Sequence, residues 1–322
     1  MQYRIIDYDK KYKEKLFKYI KVRFPKYSDN YIEYIISEAE GVLKSQLVVD
    51  EEDNIVGCHF WYNTKLYSRG EIVESAFGHD TYLEPFVRRY IGLDFVLKIS
   101  TDKTMGNGLT DINDKIQKKL KTTYVNNVYN LFWISLLAPL YTLLYRKFDY
   151  NISTDNIVVG EFEFKRASSI CDLNLVEDGF WYKDSVDYDI YRGADFLNDR
   201  FLKNKVHKYF FFYECKKNVP CYFVVRPIIY RKLFALLLVD FRYDISNEKL
   251  PGAIIKAVKK IANDSKLGVI MTTTSDSSII KKMSSWTTLK KNAIVLLSKK
   301  LKGNFDSVIS ITPADSDSDF NR

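Results

Sequence analysis

The chain has 322 residues, of which 46 % are hydrophobic and 28 % are charged, and its formal net charge is +8 at pH 7. This composition can build a buried core and excludes a wholly disordered chain, and the length suits one large domain or two of ordinary size. The basic excess is modest and dispersed, so it favours acidic small ligands such as nucleotides without indicating a particular macromolecular partner. The 24 Tyr and 21 Phe favour strands and packed sheet faces over a helical bundle.

Several function classes are excluded by the motifs that the sequence lacks. The four cysteines are too far apart for a metal-ligand CxxC pair, and no two of the three histidines have HExxH spacing, so we expect no metal site. GxGxxG, GxxxxGK[ST] and GxSxG do not occur, and no zinc-finger or RNA-recognition signature points to DNA or RNA. The start MQYRIIDYDKKYK has no apolar signal region, so we predict a cytoplasmic protein with reduced thiols.

The first part of the chain predicts two helices followed by antiparallel strands. In chain order the predicted elements are a short strand over residues 2–7, an amphipathic helix over 10–24, a second helix with Ser28 as its N-cap, a hairpin made of SQLVVD (45–50) and IVGCHFWYN (55–63), and a further strand EIVESAFGHDTYL (71–83).

The next stretch, EPFVRRYIGLDFVLKI (84–99), places two arginines and a glycine where the strand gives way to a helix. The first backbone N–H groups of a helix lack partners and lie at the positive end of the helix dipole. A glycine turn there, flanked by Arg88 and Arg89, suits an anion such as phosphate. The structural alternative is a solvated basic helix start, since short glycine motifs are weakly specific.

The first half ends with GLTDINDKIQKKLK, a strand end leading into a helix, and YVNNVYNLFWIS (124–135), a strand. The apolar run LFWISLLAPLYTLLY (131–145) is shorter than a membrane-spanning helix and contains a central proline. We therefore predict buried packing for it and no transmembrane segment. Attachment to a membrane surface is the alternative, because Arg146 and Lys147 follow the run.

The second half repeats the order of the first. KYFFFYE and VPCYFVVRP form a hairpin, KLFALLLVDFRYD corresponds to the strand that ends at GHDTYL, and PGAIIKAVKKIANDSKLG corresponds to the helix after it. Two copies of one α/β unit are predicted: an N-terminal domain over 1–150, a connector over 151–194 and a C-terminal domain over 195–322.

This order of elements resembles the Gcn5-related N-acetyltransferase (GNAT) superfamily. In that family, a turn of pattern Arg/Gln-x-x-Gly-x-Gly/Ala holds the pyrophosphate of acetyl-coenzyme A, and Arg89-Tyr90-Ile91-Gly92-Leu93-Asp94 matches its first four places. Asp94 departs from the pattern. The resemblance implies an α/β (α+β) fold of two tandem domains, each a mostly antiparallel mixed sheet flanked by helices, with a degenerate C-terminal copy.

The resemblance also implies roles for individual residues. Acetyl-CoA, as co-substrate, would be held by Arg88, Arg89 and Gly92, by the strand end at Tyr82 and Leu83, and by Asn113. The candidates for general base are Glu74, His79 and Asp80, where strand alternation puts Glu74 and Asp80 on one face and His79 on the other. The candidates for the acid that protonates the thiolate are Tyr124 and Tyr129.

The expected activity is acetyl transfer from acetyl-CoA to a small-molecule amine. Tandem chains of this size resemble proteins of bacterial surface-polysaccharide pathways, which implies an amino-sugar acceptor. Two alternatives stay open: a non-catalytic GNAT-like binding module, which Asp94 favours, and a Fem-type aminoacyl-tRNA-dependent transferase, which would use the basic excess to bind RNA.

Overall fold

The computed structural model describes residues 2–41, 43–68, 71–99, 104–107, 123–144, 149–172, 188–204, 206–283, 291–297, 309–310 and 312–315. Its strands, in chain order, are β1 (Arg4–Asp7), β2 (Gln46–Val49), β3 (Ile55–Ser68), β4 (Glu71–Leu83), β5 (Thr104–Asn107), β6 (Thr123–Ile134), β7 (Asn156–Val159), β8 (Phe162–Arg166), β9 (Tyr188–Ile190), β10 (Phe210–Glu214), β11 (Cys221–Tyr230), β12 (Leu233–Tyr243), β13 (Val269–Thr274), β14 (Lys291–Leu297) and β15 (Ile309–Ser310). Its α-helices are α1 (Lys13–Arg23), α2 (Asp29–Glu38), α3 (Arg88–Ile99), α4 (Ala138–Leu144), α5 (Ala194–Leu197), α6 (Leu250–Asp264) and α7 (Ser277–Met283).

The first two helices begin close to their predicted positions. Asp9 caps a short 3-10 turn over Lys10–Tyr12, and α1 follows from Lys13. Ser28 caps α2 as predicted, because its hydroxyl accepts a hydrogen bond from the Tyr31 N–H at 3.2 Å. Short polar side chains thus cap α2 and the 3-10 turn that leads into α1.

The chain forms two compact units, and unit 1 comprises residues 1–126 and 294–307. In its sheet, β1, β2, β3 and β4 pair in antiparallel fashion, and β4 then pairs with β5 in parallel. The crossover between these parallel strands contains α3, as a parallel connection requires. A strand from near the C-terminal end of the sequence, β14, pairs with β5 through Val295–Leu297.

Unit 2 comprises residues 127–293 and 308–322. Its antiparallel strands follow the order β7, β8, β10, β11 and β12, after which β12 pairs with β13 in parallel across a crossover that contains α6. β13 then pairs with β6 through Tyr129–Ile134. The two units thus share one order of pairing: antiparallel strands, a parallel pair with a helix in the crossover, and a final antiparallel strand.

The compact units divide the chain differently from the predicted domains 1–150 and 195–322. In each unit, the last strand in the order of pairing comes from the other half of the sequence, since β6 supplies unit 2 and β14 supplies unit 1. The predicted connector 151–194 contains β7 and β8, which form a hairpin in the sheet of unit 2, with Gly160 at φ +61° in its turn. Whether the two halves are independent domains stays a prediction.

The apolar run 131–145 was predicted to pack inside the protein, and this is wrong for its second half. Leu131 in β6 is fully buried, whereas Leu136, Leu143 and Leu144 are 99 %, 75 % and 63 % exposed. The reason is that Ser135 ends the strand, and Pro139 lies in the first turn of the short helix α4, which has few buried positions. Within the residues that the structure describes, no helix is both long and apolar enough to cross a membrane.

Candidate active site

The centre of the candidate site in unit 1 is an irregularity in strand β4. Cys58 pairs with Tyr82 and Phe60 pairs with His79, so one residue of β3 lies opposite two residues of β4, Asp80 and Thr81. This is a β-bulge, and Asp80 has the left-handed backbone conformation, with φ +48°. Asp and Asn tolerate that conformation better than most other residues, which explains why a polar residue stands there.

The bulge overturns the predicted alternation of side chains along β4. His79 and Asp80 were placed on opposite faces, but His79 Nδ1 lies 3.1 Å from Asp80 Oδ2. The left-handed residue breaks the two-residue period, so neighbouring side chains can meet. Both side chains are buried, at 7 % and 5 % exposure.

Asp80 accepts two further hydrogen bonds from the helical region. The Tyr27 hydroxyl donates at 2.5 Å and the Tyr31 hydroxyl at 3.3 Å. Burial raises the pKa of Asp80, but the hydrogen bonds from His79, Tyr27 and Tyr31 together lower that pKa below its usual range. Asp80 is therefore a charged acceptor at neutral pH, suited to orient the His79 ring rather than to take a proton itself.

A second carboxylate ties the end of β4 to α1. Glu84 is 5 % exposed, and Arg23 Nη2 lies 2.5 Å from its Oε1. The hydroxyls of Tyr19 and Tyr82 donate to the same carboxylate at 3.4 and 3.5 Å. Burial raises the pKa of Tyr19, so this phenol stays protonated and serves as a donor. The predicted cofactor residue Tyr82 thus has its phenol group in this structural cluster.

Helix α3 begins at Arg88, and the glycine lies inside the helix. Gly92 was predicted in a turn that caps the helix, but the turn is formed earlier, where Val87 N–H donates to the Glu84 carbonyl. The reason is Pro85, which fixes the backbone for this turn directly after β4. Gly92 consequently occupies the second turn of α3.

The two predicted arginines differ in their contacts. Arg88 Nε donates to the Leu83 carbonyl at 2.9 Å, so this side chain joins the helix start to the end of β4. Arg89 is exposed and lies over the Tyr90 ring at 4.6 Å. The first hydrogen bonds at the start of α3 are those that the Tyr90 and Ile91 N–H groups donate to the Val87 carbonyl. The N–H groups of Arg88 and Arg89 come earlier in the chain, in the first turn of the helix.

The space around Gly92 shows that protein packing does not demand a glycine there. A Cβ atom at this position would meet Arg88 Cβ at 3.8 Å and Leu83 Cδ2 at 4.0 Å, which are ordinary contacts. Asp94 is exposed, and residues two apart on a helix do not face each other. The Asp94 carboxylate therefore points away from the helix side that carries Gly92.

β4 pairs with β5 next to the bulge. Within the described residues, this pairing runs from Ala76 to Gly78, and β4 continues to Leu83. The end of β4 then leads directly into the turn before α3, in which Val87 N–H donates to the Glu84 carbonyl.

The remaining predicted site residues lie elsewhere. Glu74 is exposed on β4 opposite Lys65, about 20 Å along the strand from Asp80. Tyr129 is half-buried in the part of β6 that pairs with β13 of unit 2, opposite Thr274. Tyr124 lies on β6, and its side chain is outside the described part of the chain, as is all of Asn113.

Sequence reasoning missed Tyr27 and Tyr31, the partners of Asp80. Their four-residue spacing around the N-cap Ser28 was visible, but a pair of tyrosines at that spacing indicates only a shared side of a helix start. Their function follows from the bulge, which no local pattern reveals. No group of metal-ligating side chains occurs among the described residues.

The corresponding strand of unit 2 has different chemistry. β12 also has an irregularity, between the partners of Val224 and Val225, and Asp240 follows it. Asp240 is fully buried, 2.9 Å from Arg192 Nε and 3.1 Å from Arg242 Nη1, and the Tyr222 hydroxyl donates to it at 2.9 Å. Burial raises the pKa of Asp240, but the two guanidinium groups outweigh this effect and lower the pKa to about 2. Two arginines and a tyrosine surround this carboxylate, and none of these partners is a histidine.

The fold is similar to those of solved acyltransferases. A GCN5-related N-acetyltransferase from Kribbella flavida matches with a TM-score of 0.60 at 11 % identity, over 93 % of this chain and 72 % of that one. The GCN5-related N-acetyltransferase from Anabaena variabilis matches with a TM-score of 0.56 at 11 % identity, over 91 % and 72 %. The Saccharomyces cerevisiae N-myristoyltransferase with bound myristoyl-CoA matches with a TM-score of 0.55 at 10 % identity, over 91 % and 82 %.

These likenesses show that the chain has a GNAT-like α/β fold, with mixed sheets flanked by helices, as the sequence predicted. No protein-family model and no curated protein sequence matches the chain. The relationship is therefore visible in the arrangement of the strands and helices and not in the sequence.

Proposed function

We propose that the protein is an acyltransferase that moves an acetyl group from acetyl-CoA to the amine of a small molecule, with unit 1 as the catalytic unit. One observation carries this proposal: β4 bulges at Asp80, where His79 comes to 3.1 Å from the Asp80 carboxylate, and leads within a few residues to the start of α3. In a GNAT-like fold, this arrangement would place a base and a helix N-terminus beside one elongated acyl-CoA.

The first turn of α3 would hold the pyrophosphate of the coenzyme. Its leading N–H groups and the exposed Arg89 supply positive potential at a helix N-terminus. Gly92 supports this assignment, because no described neighbour requires a glycine there. The pantetheine arm contains amide groups and would bond to the backbone of the last residues of β4, including Tyr82 and Leu83.

His79 is the general base in this proposal. The Asp80 carboxylate accepts from His79 Nδ1–H and so leaves Nε2 as the basic nitrogen. The amine nitrogen attacks the thioester carbon, His79 takes the proton from nitrogen, and the C–S bond breaks to release the thiolate of coenzyme A. Tyr124 and Tyr129 stay candidates for protonating that thiolate, and Asn113 stays a candidate for contacting the coenzyme arm.

Glu74 is less suited to this task than His79, because it is exposed and far from the bulge. Unit 2 is an unsuitable catalytic unit, since its Asp240 is fully engaged with Arg192 and Arg242. We propose that unit 2 is a degenerate copy of the same unit, because the two share one order of strand pairing.

An amino sugar as the acceptor is a further part of the proposal. A cytoplasmic location is also part of it, because the four cysteines are free thiols.

Isothermal titration with acetyl-CoA tests the proposal. We expect micromolar binding by the native protein and loss of binding in an Arg89→Ala, Gly92→Asp double variant, which removes a cation and adds an anion at the first turns of α3. A parallel titration with myristoyl-CoA tests the length of the acyl chain. If the native protein binds neither acetyl-CoA nor myristoyl-CoA, the proposal is contradicted and the non-catalytic binding module is favoured.

The Fem-type alternative makes a separate prediction. Such an enzyme would bind tRNA, and its affinity would fall steeply with salt because counterions are released from the phosphates. We expect no tRNA binding at 150 mM salt together with tight acetyl-CoA binding. The reverse result would replace the acyl-CoA proposal with the tRNA-dependent one.

A further inference from the structure

Unit 2 contains a cavity beside helix α6. Its volume is about 470 Å³, which lies in the range of about 300–1,000 Å³ that is common for small-molecule sites. The first part of α6 forms one wall, and the turn between β7 and β8, over residues 159–162, forms another. Lys282 at the end of α7 adds to the lining. The cavity therefore lies within a single unit.

Lysine side chains converge on this cavity from two helices. Of the described residues that line it, four are lysines: Lys249, Lys256, Lys259 and Lys282. Lys249, Lys256 and Lys259 follow helical spacing along one side of α6. Between Lys249 and Lys259 a helix rises about 15 Å. The positive charges are thus distributed along the cavity, which suits a ligand with more than one anionic group.

The carboxylate of Glu161 also lines the cavity, and lysines hold it from two sides. Its Oε1 lies 2.8 Å from Lys249 Nζ, and its Oε2 lies 3.3 Å from Lys217 Nζ. The hydrogen bonds from these two lysines hold the pKa of Glu161 below its usual range. Glu161 therefore offsets one lining lysine, and the lining as a whole has an excess of positive charge.

Packing places two of the lysines at the cavity. Lys259 is half-buried, with its Nζ 5.6 Å from the centre of the Trp133 ring, and burial lowers the pKa of its amine. A bound anion would offset this desolvation, because an opposite charge favours the charged amine. Lys282 crosses α6 at Gly252, where an added Cβ atom would lie 3.6 Å from Lys282 Cε. The small residue lets the stem of Lys282 lie along the helix.

Side chains, and not the N–H groups of a helix start, supply the positive charge here. Leu250 N–H donates to the Asn247 carbonyl at 3.1 Å, and Ala253 N–H donates to the Lys249 carbonyl at 3.0 Å. Pro251 has no N–H group. Most N–H groups at the start of α6 are therefore bonded or missing. This arrangement differs from the first turn of α3, where we placed the pyrophosphate of the coenzyme.

The floor of the cavity is apolar. Phe162, Ala253 and Ile255 line it and are at most 5 % exposed. Lysine amines bind phosphate as point charges, and apolar side chains bind flat rings. Amines distributed around an apolar floor therefore match a ligand that joins phosphate groups to an aromatic base.

We propose that this cavity is a binding site for a nucleoside diphosphate, with the phosphates on the lysines and the base over the apolar floor. The site is separate from the coenzyme site proposed on α3. Its occupation does not require that unit 1 bind acetyl-CoA.

Isothermal titration of the full chain with uridine diphosphate and adenosine diphosphate tests this inference. We expect the native protein to bind, and a Lys256→Gln, Lys282→Gln double variant to bind at least about tenfold more weakly, because each change removes a charge-assisted hydrogen bond to phosphate. The control is Lys260→Gln, Lys281→Gln, which removes the same charge from the same two helices at residues outside the lining. It should bind like the native protein. All four lysines are exposed, so neither variant should change the melting temperature.

Glu161→Gln tests the same site in the opposite direction. The change removes the carboxylate that bonds to Lys249 and Lys217, so both amines become available to the ligand. We expect the binding of both nucleotides to become about two- to fivefold tighter. A variant that only disturbs the fold would not bind more tightly.

Two further titrations identify the ligand class and the location of the site. Inorganic pyrophosphate should bind more weakly than the nucleotides, because it has no ring to cover the apolar floor. The Arg89→Ala, Gly92→Asp variant should bind both nucleotides like the native protein, even where it no longer binds acetyl-CoA. Loss of nucleotide binding in that variant would assign the ligand to α3 and overturn the inference.

Three other results would also overturn it. These are no binding of either nucleotide by the native protein, equal weakening in the two lysine double variants, and pyrophosphate binding as tight as that of the nucleotides. Acetyl-CoA binding decides the proposed function separately, so either conclusion can fail while the other holds.

Discussion

At the scale of single residues, the bulge at Asp80 determines which side chains can act together. The sequence showed three titratable candidates on one strand, and regular alternation separated two of them. A single residue in the left-handed conformation brings His79 to 3.1 Å from Asp80 and leaves Glu74 exposed elsewhere on the strand. The residue types were therefore readable from the sequence, whereas their distances depended on one backbone angle.

The charged state of Asp80 predicts a pH-dependent contribution to stability. Its pKa is lowered in the folded protein, so its stabilising effect is present above the unfolded pKa of about 3.9 and is lost as the pH falls through the lower folded value. We expect Asp80→Asn to lower the free energy of unfolding by about 1.5–3 kcal/mol at pH 7, with a smaller difference below pH ~4. Urea unfolding at several pH values measures this.

Asn is the appropriate replacement at this position, because it tolerates a positive φ as Asp does. Asp94→Asn, at an exposed position of α3, is the control and should leave the free energy of unfolding unchanged. An Asp80→Asn difference that stays constant from pH 7 to pH 2 would show that the carboxylate charge is not what stabilises the fold.

His79 yields a kinetic prediction. A positioned general base contributes about 10²–10⁴-fold to a rate, so His79→Gln should lower kcat for an amine acceptor by that range. Acetyl-CoA affinity should stay within about twofold of the native value, because the proposed coenzyme contacts lie on α3 and the β4 backbone. Steady-state kinetics and titration of the same protein samples measure the two effects. Unchanged kcat would transfer the role of base to another residue.

At the scale of elements, α3 combines a basic first turn with a glycine that the helix does not need. Gly92 costs helix stability, since glycine is about 0.5–1 kcal/mol less favourable than alanine inside a helix. Its surroundings would accept a methyl group, with the nearest atoms 3.8 and 4.0 Å from the added carbon. A ligand that approaches the helix backbone closely would explain the glycine.

Gly92→Ala therefore has two opposite expected effects. The free energy of unfolding should rise by about 0.5–1 kcal/mol, while the affinity for acetyl-CoA should fall, because the added methyl group occupies space that the pyrophosphate would use. Chemical denaturation and titration measure the two quantities. Gly160→Ala, in a turn with positive φ, should instead destabilise the protein without any effect on binding. Higher stability with unchanged affinity for Gly92→Ala would remove α3 from the binding site.

At the scale of the whole molecule, each unit takes the last strand in its order of pairing from the opposite half of the sequence. β6 lies in the first half of the sequence but pairs with β13 in unit 2, and β14 lies in the second half but pairs with β5 in unit 1. In the sequence, each of the two strands is predicted after a helix, so either could pair with either unit on local grounds. The exchange was invisible in the sequence for this reason.

The strand exchange predicts how fragments of the chain behave. A fragment 127–322 contains β6, whose Val128 and Leu131 are fully buried, whereas 151–322 lacks the strand that covers β13. We expect 127–322 to unfold cooperatively at a higher temperature than 151–322, because the shorter fragment exposes the edge and the apolar face of β13. Thermal unfolding followed by circular dichroism compares the two. Equal melting temperatures would show that β6 does not stabilise unit 2.

The sequence by itself determined the types of most elements and their order, because amphipathic periods, the Ser28 cap and the strand composition act over a few residues. The GNAT-like fold class followed only from the resemblance of that order, and the solved structures show it. The sequence also predicted an anion site at the helix start near Arg88 and Arg89, which stays a prediction. Tertiary structure alone decided the Asp80 bulge, the partners Tyr27 and Tyr31, and the pairing of β6 and β14 with strands from the other half of the chain. Each of these depends on contacts between residues far apart in the chain, whose free energies no local pattern of residues encodes.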